Sequence, residues 1–213
     1  MIENLSLDDI KGFLSKMNGV AASNKDYLID LDSKMGDGDL GLTMAAVFSA
    51  IDEFAGTYDE NDIGGLLMKG GMAMAKAAPS TMGTLMATGF MRGGKAVKGC
   101  TQLKAAELSS FWTAFVEGIM ERGKSKPGEK TIIDALYPAA EAWKAAGNAD
   151  LVSTAAAAGA AAAEGLEKTR DMVAQHGRAA YYQEKSREIQ DPGATIGSIL
   201  INTFSDYLTG LDE

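Results

Sequence analysis

Apolar residues recur at intervals of three and four along this chain, and no stretch alternates convincingly with a period of two. That periodicity confines the fold to packed helices. Ser6-Leu7-Asp8-Asp9 has the form of a capped start, with Leu7, Ile10, Leu14 and Met17 following at helical spacing. Further helical patterns cover residues 25–31, 42–54, 63–78, 84–97 and 103–120. The last of these carries a stripe of Leu108, Phe111, Trp112, Phe115, Val116 and Ile119. The pattern resumes over 131–146. Residues 150–175 are dominated by alanine, the best helix former, whose small side chain lets neighbouring helices approach closely. Residues 177–190 are polar and irregular, and Asp191-Pro192-Gly193 opens a final helix with Ile196, Leu200, Phe204 and Leu208. The expected fold is all-α, about eight helices joined by short loops in an up-down arrangement. At 213 residues and 46% hydrophobic content, one domain spanning residues 1–213 is the expectation.

One segment cannot be helix interior. Asp30-Leu31-Asp32-Ser33-Lys34-Met35-Gly36-Asp37-Gly38-Asp39-Leu40-Gly41 packs four carboxylates and three glycines between two helical patterns. The glycines permit tight bends, so that alternate aspartates converge. Convergent carboxylates repel unless a cation lies between them, and oxygen-only ligands suit a hard ion such as Mg²⁺ or Ca²⁺. The apolar run that follows (Leu42, Met44, Val47, Phe48, Ile51) starts a helix whose first N–H groups would lie beside the metal, where phosphate could bind. An EF-hand is excluded: counting from Asp30, position five is Lys34 and position twelve is Gly41, not the required glutamate. Acidic glycine-rich turns also occur as plain solvated loops, so this segment needs support from elsewhere in the chain.

Composition narrows the partners. A net charge of -9 argues against nucleic acid or an anionic membrane as a binding surface. Met1-Ile2-Glu3-Asn4 shows no basic, apolar leader pattern, and the Ala-rich run between Asp150 and Glu164 is too short to span a bilayer. A lone cysteine, Cys100, forbids an internal disulfide and fits a reducing cytoplasm; it reads as a small apolar filler. The lone His176 has no second histidine with which to build a zinc site.

In an up-down bundle, connections separated by an even number of helices fall at the same end. The acidic loop, the 79–84 break, the basic turn-rich loop at 123–130 and Asp191-Pro192-Gly193 meet that condition. Three helix N-termini and several donors would then surround the metal, as a nucleotide cradle requires.

Four separated motifs now stand in order: Gly36-Asp37-Gly38-Asp39-Leu40-Gly41-Leu42; Gly123-Lys124 with Pro127-Gly128-Glu129-Lys130-Thr131; Gly177-Arg178-Ala179-Ala180-Tyr181; and Gln190-Asp191-Pro192-Gly193-Ala194. Together they resemble the nucleotide-binding L subunits of dihydroxyacetone kinases, over essentially the whole chain. The resemblance implies an eight-helix antiparallel barrel with an apolar interior and ADP or ATP at one end. It implies that Asp32, Asp37 and Asp39 hold two Mg²⁺ ions bridging the nucleotide phosphates, with Asp30 left as a surface acid. Leu40, Gly41, Leu42 and Thr43 correspond to the nucleotide-contacting stretch after the aspartates. Thr81, Met82 and Gly83 would approach the phosphates and adenine. Gly123 and Ile132 match the base pocket, and Arg178, Asp191, Pro192 and Gly193 match the remaining contacts.

Each assignment also has an ordinary structural reading. Thr43 and Thr81 can donate to phosphate or cap helices. Arg178 offers a fork of donors to phosphate or lies on the surface. Met82 and Ile132 can sandwich adenine or belong to the core, and Lys124, Lys126 and Lys130 can steer an anion or remain solvated. Two features depart from the family pattern at the phosphate end. Leu40 stands where many members have histidine, and Pro79-Ser80-Thr81-Met82-Gly83-Thr84 stands where many have a Ser-Gly-Pro loop. Both bear on nucleotide affinity.

The expected activity is Mg-dependent phosphoryl transfer in the cytoplasm from the nucleotide to dihydroxyacetone or a similar short ketose. In the family that substrate is held through a histidine on a separate K subunit; nothing here resembles that subunit, so His176 is not cast in the role. The donor is either exchangeable ATP or ADP recharged by a phosphotransferase-system M subunit. Alternatives are a kinase subunit for another substrate, as in fatty-acid kinases with a similar nucleotide domain, and a nucleotide-loaded module that binds a transcription regulator. A structural bundle with a fortuitous acidic loop would leave the four motifs unexplained.

Overall fold

The computed structural model describes residues 2–147 and 149–212; Met1, Asn148 and Glu213 lie outside the described residues. The sequence produces nine α-helices among them: α1 (Leu7–Ser23), α2 (Lys25–Asp32), α3 (Leu40–Thr57), α4 (Ile63–Ala77), α5 (Thr81–Ala96), α6 (Ala105–Gly123), α7 (Ile133–Ala146), α8 (Leu151–Lys168) and α9 (Pro192–Asp212). The all-α expectation holds. The short α2, which ends in the acidic loop, takes the number past eight.

Helix ends fall where side chains satisfy the free amides. Ser6 and Asp9 form the expected capping box: Ser6 Oγ accepts from the Asp9 amide, and the Ser6 amide donates to Asp9 Oδ2 at 2.8 Å. Asp62 caps α4 by accepting from the Gly65 amide at 2.9 Å, and it also receives the Gly99 amide at 2.8 Å. Asp150 caps α8 through the Ser153 amide at 2.8 Å. Each cap stabilises its helix by about 1 kcal/mol. Burying one phenylalanine contributes about 1.5–3 kcal/mol, so caps set the boundaries while the core sets the fold.

That core is continuous from helix to helix. Phe48, Phe90, Phe111, Phe115, Trp112, Phe204 and Trp143 form an unbroken series of edge-on and tilted ring contacts with centroids 5.0–6.4 Å apart. It joins α3, α5, α6, α7 and α9. α1 packs on α3, each helix from α3 to α9 packs on the next, and α9 returns to α1. The Ala-rich α8 lies between α7 and α9 with Ala155, Ala158, Gly159 and Ala162 buried. Small residues on that face are what permit two close neighbours. A two-residue antiparallel pairing, Leu5 with Leu103 and Ser6 with Gln102, ties the N-terminus to the start of α6. It is too short to leave a periodic trace in the sequence.

The α2–α3, α4–α5, α6–α7 and α8–α9 connections meet around one cleft, as the even-number argument required. The α8–α9 connection is the longest. Its kinked 3-10 segment, Arg178–Ser186, occupies the region expected to be irregular, but α8 ends at Lys168, short of the helical stretch expected to reach 175, and Thr169–Asp171 is only a short 3-10 turn.

Candidate functional site

The acidic loop is folded by its own first carboxylate. α2 ends at Asp32, and the buried Met35 anchors the turn that follows. Gly36 donates back to the Asp32 carbonyl at 2.6 Å. Gly38 has φ of 72°, a left-handed conformation that glycine adopts without a steric penalty. The reversed chain brings the Asp39 and Leu40 amides onto Asp32 Oδ2, at 3.1 and 3.4 Å. These bonds start α3 at Leu40, two residues earlier than the apolar periodicity indicated. Asp32, Asp37 and Asp39 consequently each present a carboxylate oxygen, all within 4.8 Å of one another. Asp30 is exposed and stands outside the cluster.

Three carboxylates this close repel. Burial pushes the Asp39 carboxyl above its ordinary pKa, and the charges of Asp37 and Asp32 push it further; Arg178 opposes them. Arg178 also pairs directly with Asp37 Oδ2 at 2.6 Å, on a side chain that remains 67% exposed. An oxygen-only donor set of three close carboxylates fits a hard divalent cation, whose charge would offset their mutual repulsion.

Facing the triad is a cleft of about 640 Å³, within the usual range for small-molecule sites. Leu40, Thr81 and Pro192, the first residues of α3, α5 and α9, line it, as does Ile132, immediately before α7. Four helix N-termini thus border one space beside the acidic triad, an arrangement suited to anions. Met82, Leu85 and Ile132 supply apolar wall. Gly193 is in close contact with both Met82 and Ile132: a Cβ placed there would stand 3.0 Å from the Met82 methyl and 3.2 Å from the Ile132 amide.

Of the residues expected to contact a nucleotide, Leu40, Thr81, Met82, Gly123, Ile132, Arg178, Asp191, Pro192 and Gly193 line the cleft. Gly41, Leu42, Thr43 and Gly83 are not among its wall residues. Gly41 is buried where α3 crosses α2, so close that a Cβ would overlap the Lys25 carbonyl. Leu42 is 56% exposed. Thr43 donates to Ser80 Oγ at 3.3 Å, and Ser80 Oγ accepts from the Gly83 amide at 3.0 Å. That chain of bonds caps α5 at Thr81, three residues before the expected start.

Sequence reasoning did not single out Leu85, Ser125, His176 or Gly177 as wall residues, and it left Lys130 between anion steering and solvation. Lys130 is 2% exposed, its ammonium donating to the Thr169 carbonyl at 2.6 Å and the Ile189 carbonyl at 2.7 Å. Burial pulls its pKa down, while the Asp191 charge works the other way. His176 Nε2 stands 2.7 Å from Glu129 Oε2, a contact that holds the Glu129 carboxyl below its usual range. Asp191 accepts from the Ala194 amide at 2.6 Å and so caps α9; burial pushes its carboxyl up to about 7. Only the position of Lys130 inside the Pro127–Thr131 motif could have flagged it, because its acceptors lie 39 and 59 residues away.

Residues 34–206 match the DAK2 domain. The chain is 32% identical over 194 residues to an Escherichia coli PEP-dependent dihydroxyacetone kinase ADP-binding subunit, covering 90% of this chain and 92% of that one. It is 36% identical over 179 residues to a Listeria innocua protein of the same description, covering 84% and 85%. Among solved structures, the dihydroxyacetone kinase of C. freundii in complex with AMP-PNP and Mg²⁺ superposes with a TM-score of 0.70 at 23% identity. That superposition covers 92% of this chain but only 33% of the larger protein, and it shows a shared fold. The match to the family spans most of the helices and all four cleft-forming connections. The chain belongs to the DAK2 domain family.

Proposed function

We propose that this chain is the ADP- or ATP-binding subunit of a dihydroxyacetone kinase, acting in the cytoplasm. The observation that carries the reading is the acidic triad facing four helix N-termini across one cleft. Negative ligands for a cation and positive dipole ends for an anion, side by side, are the complementary halves of a metal–polyphosphate site. The E. coli and Listeria relatives are described as PEP-dependent and ADP-binding, which supports ADP over exchangeable ATP as the resident nucleotide; a phosphotransferase-system M subunit would recharge it.

Asp32, Asp37 and Asp39 would hold two Mg²⁺ ions. Bound there, magnesium supplies neutralisation of the polyphosphate and of the charge that develops on the transferred group. The protein's own residues bind and orient. Arg178 exchanges Asp37 for phosphate oxygens, to which its planar fork is matched. The N-terminal ends of α3 and α5 face the phosphates, while Met82, Ile132 and Gly193 enclose the base and keep water from it. Thr81 offers a hydroxyl donor to the phosphates. No general base is needed on this chain, because phosphoryl transfer is driven by positioning and charge compensation. The accepting hydroxyl, on dihydroxyacetone or a similar short ketose, arrives held by a separate K subunit.

The fold serves this reading as a single domain over residues 1–213, an eight-helix antiparallel barrel made by α1 and α3–α9. The successive packing of α3 to α9, and the return of α9 to α1, support closure. The test is reconstitution: this chain with a dihydroxyacetone-loaded K subunit, magnesium and nucleotide, plus the M subunit and its phosphodonor chain, followed by detection of dihydroxyacetone phosphate. Product that requires this chain and disappears with Asp37→Asn is the expected result. Undiminished product with that variant would refute the assignment.

A further inference from the structure

Residues 169–191 form a closed strap whose two ends meet beside the cleft. The Asp191 amide donates to Thr169 Oγ1 at 3.1 Å, and Glu188 donates its amide to the Arg170 carbonyl at 2.7 Å. The Arg170 guanidinium reaches back to the Glu188 carbonyl at 3.0 Å and Gln190 Oε1 at 2.9 Å. Higher up, Ser186 Oγ receives the Ala174 amide at 2.9 Å. The tip carries Gly177 and Arg178 to the triad, and the downstream end delivers Asp191-Pro192-Gly193 to the cleft wall.

Lys130 enters this strap from another element. Its ammonium bonds one carbonyl from each side of the neck, Thr169 and Ile189, and is sealed from solvent. The loop that carries it is braced by Asp134, which accepts the Gly128 amide at 2.6 Å and the Thr131 amide at 2.7 Å. Lys130 itself has a left-handed backbone, with φ of 60°. Its neighbour Glu129 holds the strap at a second level, through the Gln175 amide at 3.2 Å and the His176 ring. Burying an ammonium costs several kcal/mol before its bonds compensate, and apolar packing would hold a neck more cheaply. What the ammonium adds is direction: two bonds at fixed angles to two strands of chain.

We propose that Lys130 is a positioning residue for the nucleotide: it clamps the neck of the 169–191 strap and thereby sets Arg178 and the Asp191-Pro192-Gly193 turn against the bound phosphates and base. The inference rests on the nucleotide reading above. Lys130 borders the cleft, but its ammonium is turned to the two neck carbonyls; it acts through the strap, so its loss speeds release of the nucleotide rather than removing a contact.

The experiment compares the parent chain with Lys130→Met in two measurements. Hydrogen exchange over residues 172–190, with tryptic cleavage at Arg178, Lys185 and Arg187, is followed without nucleotide. Mg-ADP association and release are then followed by rapid mixing. The expected result is native helicity, faster exchange and cleavage confined to the strap, and ADP release accelerated about tenfold at a nearly unchanged association rate. Unaltered strap exchange overturns the clamp whatever the ADP result, since weakened binding alone would mean direct contact. A loosened strap with parental ADP release also overturns the proposal, leaving Lys130 a purely structural group. Should Lys130→Met fail to fold, Lys130→Gln keeps a donor for one carbonyl and is judged by the same criteria. A parent that fails to bind Mg-ADP refutes the nucleotide reading instead, and the exchange comparison still decides the clamp.

Discussion

Replacing Asp39 by asparagine should stabilise the metal-free protein and destabilise the ligand-bound one relative to the parent. In the parent, Asp39 presents an oxygen within 4.8 Å of both Asp32 and Asp37. At that spacing each repulsion amounts to about 1 kcal/mol in a water-like dielectric. Physiological salt, with a screening length of about 8 Å, removes roughly half of the 2 kcal/mol total. Arg178 loses one attractive neighbour but keeps its direct pairing with Asp37, so the net gain is about 0.5–1 kcal/mol. The Asp39 amide still donates to Asp32, leaving the loop intact. A protein of this size should therefore melt about 1–3 °C higher in EDTA after the substitution. With magnesium and ADP at about a hundred times the parent's Kd, the parent gains about 2.7 kcal/mol; a variant binding a hundredfold more weakly gains about 0.4 kcal/mol. The order of stabilities then inverts. Calorimetric melts of both proteins, with EDTA and with Mg-ADP, check both halves. A variant that melts well below the parent in EDTA, or that gains as much from Mg-ADP, would refute the reasoning.

Three further outcomes follow from the same geometry. Arg178→Gln removes the Asp37 partner and the phosphate fork, so Mg-ADP affinity should fall about tenfold or more, measured by titration calorimetry, with little change in melting because the side chain is 67% exposed. The Asp191 carboxyl, pushed up to about 7 in the folded state against about 3.9 unfolded, binds its proton more tightly when folded. Its stabilising effect is thus full below about pH 4 and lost as pH rises through about 7, so urea midpoints at pH 5.5 and 7.5 should differ less in Asp191→Asn than in the parent. Gly41→Ala would drive a methyl into the Lys25 carbonyl; a loss of at least 1–3 kcal/mol in urea unfolding, with weaker Mg-ADP binding, is expected as α2 is pushed from α3.

The helices were legible because their signals are local. Ser6 and Asp9 cap α1 three residues apart, and the 103–120 stripe buries the same residues that the period indicated. Boundaries shifted where the cap came from elsewhere. α3 begins at Leu40 because Asp32, eight residues earlier, receives its amide, and α5 begins at Thr81 because Ser80 takes the Gly83 amide. That aspartates converge in this loop was legible because its glycines permit tight bends, and the resemblance to the L subunits singled out Asp32, Asp37 and Asp39 from the four. The strap was not legible. Its order comes from bonds such as Arg170 to Gln190 and Ala174 to Ser186, between polar residues that carry no periodic pattern. In the sequence Lys130 stands between anion steering and solvation, and only the carbonyls of Thr169 and Ile189 beside it show it buried.

The most direct test of the central claim is nucleotide and metal content of the gently purified protein, measured by native mass spectrometry with and without EDTA. One ADP per chain is expected, together with magnesium, both lost on chelation and both restored by adding magnesium and ADP. Protein that takes up no nucleotide in either condition, or holds it unchanged in EDTA, would contradict a metal-bridged site at Asp32, Asp37 and Asp39.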